Sequence, residues 1–242
     1  NFFENEADYY QTEDFLATDT VDFTIFNGQS LNLALEGNNL DNKQYATNGR
    51  LFTLKFSYIN GQEDYTPGST ALNDTSITQN RHWVEGRVNF SQYFDLGRTL
   101  FAGVHADFLH SSSYSFSNFK ATSIFVPAYQ PIPESKTLFL KNFRSPKYLS
   151  FGATVGYRLS KVMHWRLASY IYQPIVEVQR EQSTTFVGGK LFPKFYSIIN
   201  SAVVFNTPIG DLSAQISYYD EESSKFSFLV NFGYILFNRS VR

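Results

Sequence analysis

The chain has 242 residues, with 20 Lys or Arg and 22 Asp or Glu, so its formal net charge is -2. A charge this close to zero gives no electrostatic reason to expect nucleic acid or another polyanion as a partner. Because the chain has no cysteine, disulfides and thiolate metal sites are excluded. It contains 25 Phe and 16 Tyr, yet its mean hydropathy is only -0.26. This combination is typical of a membrane barrel, in which apolar side chains point outward and polar ones point inward.

Residues 1–19 (NFFENEADYYQTEDFLATD) are acidic and show neither strand nor helix periodicity. They predict a loop or linker that precedes a barrel domain over residues 20–242. No stretch approaches the roughly 18 to 20 apolar residues of a membrane helix. The chain also begins without the basic, apolar and small-residue pattern of a signal peptide. We therefore expect Asn1 to begin a mature or a fragmentary chain.

From Thr20 onward, apolar and polar side chains alternate with a period of two, which predicts strands with one apolar and one polar face. The clearest such segments are residues 100–108, 148–159, 212–219 and 226–236. Weaker ones are residues 21–26, 31–36, 51–58, 83–93, 165–172 and 195–205. About ten strands of this kind predict an all-β fold, an antiparallel transmembrane β-barrel.

The links between these segments alternate in length. Tight links occur near Asp95, Ser160 and Thr207, whereas residues 60–81, 111–147 and 177–194 form long ones. Short turns on one side and long loops on the other are typical of outer-membrane barrels, so we expect the bacterial outer membrane as the location. Aromatic residues near the segment ends indicate interfacial girdles, although Tyr and Trp are also ordinary strand residues: Tyr58, Tyr65, Trp83, Tyr93, Tyr148, Trp165, Tyr172 and Tyr234.

The predicted inward faces carry several charged or ionisable side chains: Lys55, Glu85, Arg87, His105, Asp107, Arg158 and Arg166. The segments with Glu85 and Arg87 and with His105 and Asp107 are joined by a tight turn, so opposite charges should pair across neighbouring strands. This set predicts a ladder of salt bridges in the lumen. The alternative is a surface for permeation or docking, and the sequence does not separate the two.

No catalytic motif is found. There is no G-x-S-x-G elbow, no glycine-rich phosphate loop and no H-E-x-x-H, and the four histidines do not have metal-ligand spacing. His105, Asp107 and residues 111–113 form a Ser/His/Asp combination that a polar barrel interior supplies by chance. The sequence thus predicts no catalytic, metal or cofactor site and no enzyme activity for this chain.

Three stretches resemble the C-terminal barrel of Bacteroidetes patatin-like phospholipase proteins, a branch of the bacterial surface antigen barrels. They are LDNKQYATNGRLFTLKFSYINGQEDYTPGST from Leu40, NFSQYFDLGRTLFAGVHADFLHSSS from Asn89 and FVPAYQPIPESKTLFLKNFRSPKYLSFGATVGYRL from Phe125. The resemblance covers most of residues 40–242. It implies a sixteen-stranded barrel and a phospholipase domain on the N-terminal side of Asn1, where the serine elbow and Asp-Gly dyad would lie.

In that superfamily a long loop with an arginine motif folds into the lumen before the last five strands. Arg144, in NFRSPKYLSFG, occupies the corresponding place, and about five predicted strands follow it. The family motif continues Arg-Gly-aromatic, whereas this chain has Arg144-Ser145-Pro146. Arg144 is therefore either the lumen-loop arginine or an ordinary solvated one.

The chain is then either the C-terminal part of a sixteen-stranded barrel or a shortened barrel that closes with about ten strands. As function, the resemblance implies an outer-membrane barrel that anchors or exports a patatin-type lipid hydrolase. A stand-alone channel or scaffold subunit and a soluble ligand-binding barrel are the alternatives. The expected partners are membrane lipids, with a second copy of the chain or other outer-membrane proteins.

Overall fold

The computed structural model describes residues 1–112, 115–181, 184–188, 191–221 and 225–234. Within these residues the fold is all-β, with one short helix, α1 (Phe119–Phe125), and 3-10 turns at Glu134–Lys136 and Lys141–Phe143. No helix among them is long and apolar enough to span a membrane. The strands are β1 (Phe2–Tyr9), β2 (Asp22–Asn38), β3 (Gly49–Thr66), β4 (Ile77–Asp95), β5 (Leu100–Ser111), β6 (Lys147–Arg158), β7 (Met163–Pro174), β8 (Glu177–Glu181), β9 (Thr184–Gly188), β10 (Tyr196–Thr207), β11 (Gly210–Tyr219) and β12 (Phe226–Tyr234).

Ten strands form one antiparallel sheet in the order β1-β2-β3-β4-β5-β6-β7-β10-β11-β12. Strands β8 and β9 form a separate hairpin inside the long link between β7 and β10. The sheet is curled, as one contact between distant parts of it shows. The hydroxyl of Tyr45, in the link between β2 and β3, is hydrogen-bonded to Ser213 on β11 at 2.7 Å. Strands β1 and β12 are its two edges, and within the described residues no ladder joins them. The sheet is therefore barrel-like but not closed.

The expected number of strands is confirmed, but two of the strands differ. Residues 21–26 and 31–36, predicted as separate strands, are one continuous strand, β2. The Asn27-Gly28-Gln29-Ser30 segment, which looks like a turn, pairs with both β1 and β3. Gly28 lies opposite Gly61, and a Cβ added to Gly61 would lie 2.4 Å from the carbonyl oxygen of Asn27. The two glycines thus allow a close approach of two strands where the sequence pattern indicated a turn.

The expectation of a loop for residues 1–19 is wrong for Phe2–Tyr9, which form β1. This strand pairs with β2 from Phe2 opposite Gln29 to Tyr9 opposite Asp22. Its inward Ala7 and Tyr9 are buried, while the outward Glu4, Glu6 and Asp8 are exposed. The acidic outward face hid the alternation, because charges occupy the positions where other strands of this sheet carry apolar residues.

The expected alternation of link lengths is largely confirmed. Links β4–β5, β6–β7 and β10–β11 are tight and links β5–β6 and β7–β10 are long, but the predicted long link over residues 60–81 is only residues 67–76, because β3 continues to Thr66 and β4 begins at Ile77. One link on the short side, residues 39–48, is longer and folds against β11, where Asn42 donates to Asp211 at 2.8 Å. The predicted end of the last strand, at residue 236, lies outside the described residues.

The two faces of the sheet differ sharply in chemistry. The inward face is polar and aromatic and largely covered, whereas the outward face exposes apolar side chains on every strand from β2 to β12 of the sheet. Examples of the exposed positions are Leu33, Phe56, Val104, Phe151, Val155, Ile171, Val203, Ile216 and Phe228. Along the described β5, β6, β7, β10, β11 and β12, no outward position carries Asp, Glu, Arg or Lys except Lys147, at the long-loop end.

The predicted aromatic girdle is wrong for five of the eight residues that suggested it. Tyr65, Tyr93, Tyr148 and Tyr172 are buried on the inward face. Trp83 also points inward, where its ring lies 5.2 Å from that of Phe26. Tyr58 does point outward and is 43% exposed. The side chain of Tyr234 lies outside the described part of the chain.

We expect Gly61→Ala to destabilise the fold, because the new methyl group would press on the backbone of β2. Overpacking of this kind typically lowers the free energy of unfolding by about 1–3 kcal/mol. Gly86→Ala is the matched control, since a Cβ on Gly86 meets nothing within 4 Å. Urea unfolding of both variants, reconstituted in detergent or lipid, measures the difference. Equal losses in the two variants would contradict the close-approach explanation.

Candidate functional site

The inner loop, residues 115–146, crosses the concave face of the sheet. It starts after β5, contains α1 and both 3-10 turns, and returns to β6. Its ends are drawn together by a backbone hydrogen bond of 2.7 Å from Ser111 N–H to the carbonyl oxygen of Pro146. The loop is therefore an insertion whose two ends meet at the rim of the sheet and whose middle fills the interior.

The first attachment of the inner loop is to the side formed by β1 to β4. Asn118, which caps α1, donates to the hydroxyl of Tyr9 at 2.6 Å, and Tyr9 pairs with Thr24. The fully buried carboxylate of Glu63 accepts the Ser117 N–H at 2.6 Å through Oε1. Burial raises the pKa of Tyr9 to about 12, so this phenol stays protonated near neutral pH.

Glu63 is neutralised on its other side. Its Oε2 atom lies 2.6 Å from Nη2 of Arg81 and 2.8 Å from Nε of the same side chain. A buried carboxylate needs such partners, because desolvation of an unpaired charge costs several kcal/mol. The same guanidinium lies 5.8 Å from the ring centroid of Phe116 in the inner loop. Arg81 and Glu63 thus fix the first end of the loop by charge and by packing.

The second attachment is to the opposite edge of the sheet. Glu134, only 4% exposed, accepts the Ser217 hydroxyl on β11 at 2.5 Å and a short bond from Ser227 on β12. Asn142 adds a bond of 2.8 Å from its backbone N–H to Glu221. The inner loop therefore spans the interior from the β1 side to the β12 side, with a buried carboxylate near each end.

Between the two attachments lies a cluster of tyrosines. Tyr129 of the inner loop stacks on Tyr172 with ring centroids 5.3 Å apart and contacts Tyr148 at 5.6 Å. Phe143, fully buried, packs between Tyr172 and Tyr219. The cluster joins the loop to β6, β7 and β11 through rings from both sides. Aromatic pairs at these spacings each add about 0.5–1.5 kcal/mol beyond the area that they bury.

Arg144 lies in the inner loop, and its contacts are within that loop. Its Nη1 atom donates to the carbonyl oxygens of Ile124 at 2.6 Å and Val126 at 3.2 Å, at the end of α1. Its guanidinium lies 4.5 Å from the ring centroid of Phe139. Burial lowers the pKa of Arg144, which reflects the partial removal of its charge from water. Arg144 thus ties the end of α1 to the returning segment of the loop and, among the described residues, pairs with no carboxylate of the sheet.

All seven residues of the predicted charge ladder point inward, as expected from the alternation. Arg87 and Asp107 pair across β4 and β5, with Nη2–Oδ2 at 2.5 Å and Nε–Oδ1 at 3.1 Å. Glu85 lies one pleat from this pair, on the same face. Lys55 lies opposite Arg87 in the register, and among the described residues no carboxylate lies within 4.0 Å of it.

The other members do not continue the ladder. His105 contacts the hydroxyls of Ser91 and Thr154, each at 3.0 Å. Arg158 pairs with Asp95 at 3.0 Å, close to the tight turns. Arg166 donates from Nη2 to the Tyr93 hydroxyl at 3.2 Å. Within the predicted ladder the structure therefore contains one ion pair, Arg87–Asp107, while Arg158 pairs with Asp95 outside the set and His105 and Arg166 bond to neutral hydroxyl groups.

Below the inner loop, towards the tight turns, is a polar cavity of about 350 Å³, which we call the chamber. Its sides come from the inward face, its roof from residues 129–136 and its floor from the link between β2 and β3. Its charged and ionisable lining consists of Lys43, Arg87, His105, Asp107, Lys136 and Arg166.

Sequence reasoning missed both buried carboxylates that hold the inner loop. Glu63 was assigned to a long loop, although it lies on β3 and faces inward. Glu134 lies in a segment without periodicity, and its partners Ser217 and Ser227 follow about ninety residues later. The inward position of Ser217 was readable from the alternation of the strand, but its partner was not.

The chain matches no protein-family model, and it has no significant match among the curated proteins or the solved structures. The resemblance to patatin-associated barrels therefore remains a prediction. Within the described residues there is also no group of three or more His, Cys, Asp or Glu side chains that could hold a metal ion. The site is thus defined by its own geometry: a loop fixed at two ends and a basic chamber beneath it.

We expect Glu134→Ala to release the second attachment of the inner loop. The variant leaves the hydroxyls of Ser217 and Ser227 without their shared acceptor, a loss of about 1–3 kcal/mol. Amide hydrogen exchange should then accelerate in residues 129–143, while strands β3 to β5 keep their protection. Lys136→Ala is the control, because Lys136 lies in the same turn but is exposed. Unchanged exchange in Glu134→Ala would show that the carboxylate does not hold the loop.

Proposed function

We propose that this chain is the wall of an outer-membrane β-barrel whose interior is occupied by the inner loop, and that it anchors or exports a lipid hydrolase domain. The assignment to a membrane rests on the segregation of charge between the two faces of the sheet. In the lower half of the sheet, the charged side chains on the strands point inward, except Arg50 at the tight-turn end of β3, while the outward face is apolar. A soluble protein rarely exposes a continuous apolar surface of this extent.

The border of the apolar surface lies at one level on neighbouring strands. Leu31, Tyr58 and Val84 are in register on β2, β3 and β4, and all three are exposed. One pleat further, the outward positions in register are Gln29, Asn60 and His82. An apolar surface with a common border across strands is what a bilayer requires. The acidic outward face of β1 lies on the polar side of this border, because β1 pairs only with the upper part of β2.

The height of the surface also suits a bilayer. The outward run from Leu149 on β6 to Leu159, the residue after the strand, covers about 34 Å at about 3.4 Å per residue. At a strand tilt of about 40°, this corresponds to about 26 Å across the membrane, close to the apolar band of about 25 Å in outer-membrane barrels.

The occupied interior favours an anchor or scaffold over an open channel. The inner loop is joined to both sides of the concave face by buried carboxylates and by the tyrosine cluster. Such a loop leaves the chamber as a pocket beneath it. A channel remains the second candidate, because the lining of the chamber is polar and charged.

The two free edges support a barrel of more strands than the ten described. Residues 31–38 of β2 present one edge within the apolar surface, and β12 presents the other. Unpaired backbone groups in lipid cost several kcal/mol each, so such edges need partner strands. A barrel of sixteen strands supplies them, and a second copy of the chain is the alternative source. The hydrolase domain is supported only by the resemblance of residues 40–242 to patatin-associated barrels.

Val104→Lys tests the membrane assignment. Val104 points outward near the middle of the apolar surface and is 46% exposed. A lysine at the middle of a bilayer destabilises a barrel by about 2–4 kcal/mol, whereas an exposed substitution in water changes stability by about 0.5 kcal/mol at most. Val162→Lys is the matched control, since Val162 is 44% exposed but lies in the tight β6–β7 link. Folding into lipid vesicles measures both, and equal stability of the two variants in aqueous buffer would favour a soluble barrel.

Planar-bilayer recording tests the role of the inner loop. We expect the wild-type protein to conduct little and a variant with residues 115–144 replaced by a short Gly-Ser linker to conduct clearly more. The linker is geometrically feasible because Ser111 and Pro146 are already hydrogen-bonded. Circular dichroism checks that the sheet persists. A wild-type protein that conducts as well as the linker variant would favour the channel function.

A further inference from the structure

We propose that the chamber binds a small oxyanion, a carboxylate or phosphate group, between Arg166 and Gln215. Both side chains line the chamber and are buried, with Arg166 5% and Gln215 2% exposed. Each has a nitrogen atom, Nη1 of Arg166 and Nε2 of Gln215, that has no hydrogen-bond partner within the described part of the protein. Two buried donors without an acceptor are a recognition surface for an acceptor group.

The register places the two donors on the same level of the inward face. Arg166 on β7 and Gln215 on β11 are both opposite Ala202 on β10. Their backbones are thus two strand spacings apart, roughly 10 Å. Ala202 itself is buried against Tyr45, so the two longer side chains, and not Ala202, line the chamber. A group with several oxygen atoms fits this arrangement better than a single acceptor does.

Arg166 is the member that selects for charge. No carboxylate among the described residues lies within 4.0 Å of it. The one acidic side chain of the chamber lining, Asp107, accepts hydrogen bonds from two nitrogen atoms of Arg87, Nε and Nη2. A buried cation is stabilised by a paired anion, because desolvation without one is costly.

The other side chains around Arg166 hold it in place without neutralising it. Its guanidinium lies 5.7 Å from the ring centroids of both Tyr45 and Tyr93. These rings are hydrophobic surfaces for the guanidinium and weak electrostatic partners. Gln215 is fixed through its Oε1 atom, which accepts from Asn200 at 3.4 Å, so its NH2 group is the part left to bind.

The side chains that line the chamber further indicate the chemical class of the ligand. Lys43 and Lys136 are exposed side chains at the chamber boundary, so four basic groups, with Arg87 and Arg166, face one acid. This excess attracts anions from solution. A cavity of about 350 Å³ is at the lower end of ligand pockets, which suits a small organic acid or a phosphorylated small molecule. Tyr129, Ile132 and Tyr170 give it an apolar side for a short carbon skeleton.

Isothermal titration calorimetry on the full chain in detergent micelles tests this inference. The probes are inorganic phosphate, sn-glycerol 3-phosphate and benzoate, with benzyl alcohol as the uncharged comparison. We expect at least one of the three anions to bind and benzyl alcohol not to bind. Tighter binding of glycerol phosphate than of phosphate would identify a lipid headgroup as the source of the oxyanion, and tighter binding of benzoate would identify a carboxylate.

Variants assign the binding to the two donors. Arg166→Gln should weaken binding by at least about tenfold, the usual effect of losing a charge-assisted bond. Gln215→Glu places a carboxylate beside the site at almost unchanged volume, so it should also abolish anion binding while the fold is kept. Arg158→Gln is the control, because Arg158 points inward on the neighbouring strand but does not line the chamber. Binding by none of the anions, or equal binding by Arg166→Gln and wild type, would overturn the inference, whatever the outcome of the membrane tests.

Discussion

The interior of this protein depends on the burial of two carboxylates, Glu63 and Glu134, at opposite sides of the concave face. Each accepts bonds that link the inner loop to the sheet: Glu63 from Ser117, and Glu134 from Ser217 and Ser227. Both are almost fully removed from water. A buried carboxylate is tolerated only when its oxygen atoms are satisfied, so each of them constrains the position of every group around it. The loop is held in one place because the alternative leaves a charge unsatisfied.

This constraint has a consequence for the open sheet. A curled sheet without a closing ladder between β1 and β12 would otherwise have little to fix its curvature. The inner loop joins Tyr9 on β1 to Ser227 on β12 through its own body, and Tyr45 joins the β2–β3 link to β11. The interior contacts therefore set the distance between the two edges. The position of the inner loop and the curvature of the sheet therefore depend on the same set of polar contacts.

The sequence predicted those parts of the fold that depend on local periodicity. Alternation identified the inward faces correctly, including Arg87 and Asp107 on neighbouring strands, because a period of two is a direct consequence of strand geometry. It failed where charge or glycine replaced the expected residue type. The acidic outward face of β1 hid a strand, and Gly28 suggested a turn where two strands approach closely. The predicted set of strands therefore differs from the observed set, although the number of strands is the same.

The candidate site was less predictable, since its contacts join residues that are far apart in the chain. Two examples depend on the order and register of whole strands. One is the bond between Glu134 and Ser217, and the other is the position of Arg166 and Gln215 opposite the same residue of β10. Arg144 was singled out through a family resemblance, yet its partners are the carbonyl oxygens at the end of α1, whose helix no pattern indicated. The girdle failed although alternation argued against it: Tyr148 shares the inward face of its strand with Arg158, and Tyr172 shares that of Arg166, and the inner loop covers both rings.

The distribution of charge inside the sheet follows from the same architecture. Towards the long loops, the buried acids Asp22, Glu63 and Glu134 are all engaged in holding connections in place. Towards the tight turns, the inward acids Asp95, Asp107 and Asp211 are engaged as well: Asp95 by Arg158, Asp107 by Arg87, and Asp211 by the amide groups of Asn42 and Asn206. Among the described residues, none of these acids lies within 4.0 Å of Arg166. The interior therefore has satisfied carboxylates on both sides of the inner loop, whereas the chamber beneath the loop has two buried donors, Nη1 of Arg166 and Nε2 of Gln215, without a partner among the described residues.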